Sequence, residues 1–340
     1  MDFVTELSLD GELIGPNQLA NDPTETERIE RTLDRDFDAF AAQLAHRLGQ
    51  DNEEELGASP TSQPAANTSS DGFIESDPLD GTMALLIGYR GAGFSGYAEQ
   101  PGGLRTVAGE LRRALETFLR REVDLTCAGR TDAGVHALGQ VVSLPVTSAE
   151  LELREQRILR ALTALTPDDI SVRAVYRAPK GFSARFDALS RSYRYRMSTG
   201  VARPVLAYDY AWQLRTPLDL DAMRAAALPY LGEHDFKSFC KASSAEGKPT
   251  CRNLLALDFV QTEEFGEPLV AMDVRGSSFL HSMVRALAGT FVEIGQGRRD
   301  PTWAAEVLAA CDRRAAGPTA PAKGLTFMGV EYAPDVLQPW

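Results

Sequence analysis

The chain has 340 residues, 44% of them hydrophobic and 24% charged, with four cysteines and a formal net charge of −13. That composition suits a globular protein of two ordinary domains or one large one. No apolar run approaches the roughly 20 residues that cross a bilayer, and the start MDFVTELSLDGEL lacks the basic and apolar regions of a signal peptide, so the chain reads as soluble and cytoplasmic.

The cysteines, Cys127, Cys240, Cys251 and Cys311, form no C-x-x-C pair and have no matching histidine spacing. Free buried thiols are therefore expected, and no metal. Net acidity argues against a nucleic-acid partner, since phosphate binding is driven by Lys and Arg. The acidity is local, however: residues 1–80 hold 19 acids and 4 bases, whereas residues 81–340 hold 29 acids and 31 bases. Arginines cluster at Arg112, Arg113, Arg120 and Arg121 and again at Arg185, Arg191, Arg194 and Arg196. RNA remains a compatible partner.

In chain order, residues 1–49 read as an acidic extension with one amphipathic helix over 23–49, where Ile29, Leu33, Phe37, Phe40 and Leu44 fall at helical spacing. Residues 50–80 are rich in Ser, Pro, Asn and acids and read as a disordered linker. From there strands and helices alternate. MALLIGYR (83–90) is a predicted strand, and 106–119 a helix with Val107, Leu111, Leu115 and Phe118 on one face. VDLTCAG and GQVVSLPV are predicted as strands flanking a loop. A helix over 150–165, strands near 170–177 and 192–198, a helix near 220–231 and strands at 252–264 and 268–276 follow. Helices at 279–295 and 301–311 and a strand at 325–332 close the pattern. Two similar successions of this kind predict an α+β architecture with two related halves, 81–200 and 201–340, sharing one sheet.

The segment CAGRTDAGVHALGQV, residues 127–141, places Arg130, Thr131, Asp132 and Gly134 between two strands. A loop held by a rigid sheet suits a reactive group, and glycine permits close approach of a ligand. The alternative is a hairpin turn in which Asp132 bonds its own backbone. His136 is either a packing residue or a ligand, and no second metal ligand stands at matching spacing.

This segment closely resembles the signature of the tRNA pseudouridine synthase A family. YRGAGFSGY with RTVAGELRRAL (89–115), FSARFDALSRSYRYR (182–196), GEHDFKSF (232–239), FLHSMVRALAGT (279–290) and AGPTAPAKGL (316–325) resemble the same family in the same order. The resemblance covers 83 to about 333. It implies ferredoxin-like halves forming a mixed, mainly antiparallel sheet with helices on one face and a central RNA-binding cleft. It also implies isomerisation of uridine to pseudouridine at positions 38 to 40 of the tRNA anticodon stem-loop, without cofactor, in a homodimer.

Carried over residue by residue, the resemblance makes Asp132 the nucleophile; a carboxylate beside the sugar can attack the anomeric carbon or remove a ribose proton, and both routes stay open. An orienting cation is then expected beside it, and Arg285 is the candidate, because His281 and Arg285 share a face distinct from the stripe of Leu280, Val284, Leu287 and Phe291. Tyr193 matches the family tyrosine that stacks on the target base; the alternative is an ordinary strand aromatic, with Tyr195 pointing the same way. Arg185 matches an arginine that enters the space left by the flipped nucleotide, or it is a plain surface arginine. Arg130 serves RNA phosphates or a structural ion pair, and Arg90, Arg105, Arg112, Arg191 and Arg194 are further candidates for phosphate contact or, equally, members of solvated faces.

The sequence departs from the family where Tyr97, Ala98 and Glu99 replace Trp, Gln and Arg, which removes a basic contact. Ser282 and Ala286 also replace more usual polar residues, with no chemical consequence evident from sequence. The acidic extension is a solubilising appendage, a docking helix for an unknown partner, or a competitor for the basic cleft. The rival functions are a tRNA-binding or RNA-folding factor without turnover and an Asp-dependent hydrolase. Neither the metal cluster nor the paired carboxylate that a hydrolase needs stands out.

Overall fold

The computed structural model describes residues 78–241 and 246–340. The helix predicted within 23–49 and the linker up to residue 77 lie outside the described residues.

The sheet starts with β1 (Leu79–Tyr89), four residues earlier than the apolar run suggests. It continues with β2 (Thr126–Cys127), β3 (His136–Thr147), β4 (Ile170–Ala178) and β5 (Ala188–Ser198). The later strands are β6 (Trp212–Gln213), β7 (Gly232–Asp235), β8 (Cys251–Glu264), β9 (Glu267–Gly276), β10 (Leu325–Tyr332) and β11 (Gln338–Pro339). Nine of these lie in the order β11-β4-β1-β3-β10-β5-β9-β8-β7, while β2 pairs with β3 and β6 with β5. Pairing is antiparallel except for β10 with β3 and β6 with β5, so the fold is α+β with a mixed, mainly antiparallel sheet. The late strand β10 joins the β1-β3-β4 group to the β5-β9-β8 group at the centre.

Strand sequences follow from their surroundings. Met83, Ala84, Leu85 and Ile87 of β1 are completely buried, so the run is continuously apolar rather than alternating. β5 alternates instead: Tyr193, Tyr195 and Met197 are buried in one set, while Arg194 and Arg196 pair with Asp273 and Glu264.

Helix α1 (Val107–Leu119) is capped by Thr106, whose hydroxyl accepts from the Gly109 N–H, and ends at Arg120 in the left-handed region. It buries Val107, Leu111, Ala114 and Leu115 at helical spacing. The helix predicted across 150–165 is two helices, α2 (Ser148–Leu151) and α3 (Glu155–Leu165). Thr147 and Glu150 form a reciprocal capping box on α2, and Arg154 is extended, which restarts the chain before α3.

Helix α4 (Leu220–Ala227) packs on β8 and on α5 (Met283–Gly295); α6 (Trp303–Ala310) follows. α5 begins at Met283 rather than 279, because Ser282 is left-handed with φ 59°. It is buried nearly all round, with only Arg285 and Glu293 half-buried. Its close neighbour is segment 316–320: a Cβ on Gly289 would lie 1.7 Å from the Pro318 carbonyl oxygen, and Thr290 accepts from the Gly317 N–H at 3.0 Å. Only glycine allows backbone to approach a helix that closely. Among the described residues no helix is long and apolar enough to cross a membrane.

Candidate active site

The loop between β2 and β3 is pinned along its length. The Ala128 N–H bonds the Val141 carbonyl at 2.9 Å, and the Gln140 side-chain amide donates to the Gly129 carbonyl (2.6 Å) and accepts from its N–H (3.3 Å). The Thr131 hydroxyl shares a 2.7 Å hydrogen bond with the Tyr89 hydroxyl, and its carbonyl accepts from the Tyr97 N–H. Asp132 and Val135 close a turn through Gly134 at φ 80°. His136 is a packing residue: its Nδ1 accepts from the Gly91 N–H at 3.2 Å, its ring lies 4.9 Å from Tyr210, and burial holds its imidazole below the usual histidine range. Gly91 has no room for a side chain, since a Cβ there would fall 2.0 Å from the Val135 carbonyl oxygen.

Held this way, Asp132 is half-buried and meets three side chains. Arg285 Nη1 donates to Oδ2 at 2.8 Å, the Ser282 hydroxyl donates to the same oxygen at 2.7 Å, and His281 Nε2 lies 3.4 Å from Oδ1. Arg285 is itself fixed, because its Nε donates to the Ala320 carbonyl at 2.8 Å while the Ala320 N–H returns a bond to the Arg285 carbonyl. The structure thus brings Asp132, Arg285 and His281 together, although only Arg285 lies on α5: His281 stands in the turn before it, so the shared helical face expected from their four-residue spacing does not form.

Tyr193 stands near enough to feel the charge of Asp132. Its ring is buried, in edge-on contact with Phe279 at 5.0 Å and Phe327 at 4.9 Å, and burial pushes its hydroxyl well above the usual tyrosine range. A Cβ on Gly129 would sit 3.4 Å from that hydroxyl and 3.1 Å from Phe327, so glycine lets the loop lie against the aromatic cluster.

Two participants were not legible in the sequence. Ser282 looked like a neutral replacement, yet it bonds Asp132. Arg191 looked like a phosphate contact, but it is buried, and its guanidinium reaches four carbonyls: Ala128 at the start of the Asp132 loop, Arg185 and Ala188 of the preceding turn, and Ser277 ahead of α5. One cation therefore ties together the three segments around Asp132. The only signal for this was an arginine on the same pleat as Tyr193 and Tyr195, which points inward.

Three more of the predicted phosphate contacts are engaged within the protein. Arg105 makes a two-pronged pair with Asp169 at 2.8 Å, Arg112 pairs with Glu99 at 2.8 Å, and Arg194 forks onto Asp273 at 2.7 Å. Glu99, where the sequence departs from the family, thus removes two cations from the surface: the arginine it replaces and the one it pairs. Arg130 and Arg185 differ. Both are exposed, and among the described residues neither guanidinium has a hydrogen-bond or carboxylate partner; Arg185 lies over the exposed ring of Phe186 at 5.2 Å. Both sit close enough to Cys127 for their charge to be felt there, although burial dominates and pushes that thiol up to about 11. The expectation of buried thiols holds for Cys127 and Cys240 but not for Cys251, which is exposed.

A rigid sheet, a pinned loop and one carboxylate held in an ion pair define an α+β protein with a candidate site built around a single acid. The comparisons with known proteins give the family. A family model described as tRNA pseudouridine synthase matches residues 226–333. The tRNA pseudouridine synthase A of Brevibacillus brevis is 42% identical over 251 residues, 74% of this chain and 99% of that protein. Its namesake in Geotalea uraniireducens is 42% identical over 74% of this chain and 99% of its own length, and that of Streptomyces griseus 42% identical over 75% and 89%. The chain belongs to the tRNA pseudouridine synthase A family.

Proposed function

We propose that this enzyme isomerises uridine to pseudouridine at positions 38 to 40 of the tRNA anticodon stem-loop, in the cytoplasm and as a homodimer, with Asp132 as the nucleophile. The observation that carries the reading is the hold on Asp132: one oxygen fixed by Arg285 and Ser282 at 2.8 and 2.7 Å, on a loop that cannot drift. The ion pair and the serine hydroxyl set the direction of the half-buried carboxylate.

In this reading the carboxylate attacks the anomeric carbon of the target ribose as the bond to uracil N1 breaks. The freed base turns, and carbon 5 bonds to the anomeric carbon as the carboxylate leaves. Carbon 5 then loses its proton and N1 gains one, so substrate and product have the same atoms and no cofactor is required. Tyr193 meets the uracil beside Asp132. Arg130 and Arg185, which have no carboxylate partner among the described residues, bind the phosphates that flank the displaced nucleotide.

Incubation with unmodified tRNA, followed by chemical mapping of pseudouridine, tests the proposal with Asp132→Asn alongside. The amide keeps the shape and removes the nucleophile. Modification by the wild type and not by the variant, with tRNA bound by both, supports the reading. Binding without modification by either would leave a tRNA-binding factor on a synthase scaffold. Size-exclusion chromatography with light scattering tests the dimer.

A further inference from the structure

Ser282 occupies the N-cap of α5, where a serine oxygen ordinarily accepts a hydrogen bond from the helix's own N–H groups. Here it makes no such bond. Its backbone is instead left-handed, φ 59° and ψ 13°, a conformation that non-glycine residues adopt rarely and that gathers at functional sites. The consequence is directional: the hydroxyl points across the fold and donates to Asp132 Oδ2 at 2.7 Å.

Arg285, at the first turn of the same helix, reaches that same oxygen at 2.8 Å. An aspartate carboxylate turns freely about its last bond, whose torsional wells are broad and two-fold. A single donor on one oxygen lets the plane swing about the contact, whereas two donors arriving from different residues fix it. Oδ1 has the longer contact, 3.4 Å to Nε2 of the exposed His281.

We propose that Ser282 is a positioning residue: with Arg285 it anchors Oδ2 of Asp132 so that Oδ1 is presented to the anomeric carbon of the uridine. The inference rests on Asp132 being the catalytic carboxylate. It explains why a strained backbone persists at the start of α5 and why a residue suited to capping leaves the helix uncapped.

Two variants separate the hydroxyl from the backbone. Ser282→Gly removes the hydroxyl and relaxes the positive φ, and Ser282→Ala removes the hydroxyl while keeping the strain. Each is measured for single-turnover rate, tRNA affinity and melting temperature, with Asp132→Asn as control. Both are expected to lose about ten- to a hundredfold in rate, the scale set by a misplaced reacting group, with tRNA affinity within about twofold of wild type. The Gly variant is expected to melt no lower than the Ala variant. A Ser282→Gly enzyme at wild-type rate beside an inactive Asp132→Asn overturns the inference and leaves Asp132 in place. A loss seen for Ala and absent for Gly assigns the effect to the backbone and overturns it as well. An active Asp132→Asn enzyme removes the premise and with it the inference.

Discussion

Replacing Arg191 by methionine keeps most of the buried stem and deletes only the guanidinium. Four carbonyls then lose a charged donor: Ala128, Arg185, Ala188 and Ser277. Each unsatisfied buried carbonyl costs about 1–3 kcal/mol. Part of that total is returned, because the cation no longer has to be buried, and burial already works against its charge. A net loss of about 3 kcal/mol is the balance to expect, which for a domain of this size lowers the melting temperature by about 6–12 °C. Scanning calorimetry on the two proteins reads this directly. Arg191→Lys should fall between them, since an ammonium keeps the charge but cannot fork to several carbonyls. Because Ala128 leads into the loop of Asp132, turnover at a temperature where both proteins are folded should drop as well. A methionine variant that melts within about 2 °C of wild type would refute the idea that this cation ties the site together.

Gly289→Ala should destabilise by about 3 kcal/mol or more, since its Cβ would overlap the Pro318 carbonyl at 1.7 Å and backbone must yield; urea unfolding would show no shift if α5 and segment 316–320 can part freely. Asp169→Asn probes the acid limb. The hydrogen bonds from Arg105 hold the Asp169 carboxyl below its ordinary value of 3.8, so its contribution is complete above that pH and is lost as pH falls through the lowered value. The gap in melting temperature between wild type and variant should therefore be full near neutrality and close in strong acid; a gap independent of pH contradicts the assignment. Arg130→Ala should weaken tRNA binding and flatten the log–log salt dependence by about 0.7–0.9 if it meets one phosphate, and an unchanged slope would place it off the RNA path.

The regular elements were readable where the local pattern decides the structure. The apolar run of β1 and the bounds 325–332 of β10 follow from residues that must be buried, and the loop around Asp132 from a cluster of glycines and charges between two strands. The misjudged places share a cause: a few backbone angles set by tertiary contacts. Extended Arg154 divides the helix predicted over 150–165, and left-handed Ser282 moves the start of α5 to Met283. Arginine partners were illegible for another reason. Arg105 and Asp169, or Arg194 and Asp273, stand on different strands or loops far apart in sequence, so a sequence displays the charge and hides what neutralises it. Of the five arginines read as phosphate contacts or solvated faces, the fold commits Arg105, Arg112, Arg191 and Arg194 to partners within the protein and leaves Arg90 exposed.

The central place of β10 bears on how the protein is made. Thr326 and Phe327 align with His136 and Ala137 on one side, while the other side runs along β5 from Ala188 to Tyr195. On the ribosome, β3 and β5 are both synthesised long before the strand that lies between them. Until Leu325–Tyr332 leaves the exit tunnel, each presents an unpaired edge, the surface on which nascent chains associate wrongly. The loop of Asp132 sits at the start of β3 beside that seam, so the candidate site is completed by a strand translated long after the loop itself, and premature termination before residue 325 yields chains that cannot assemble it.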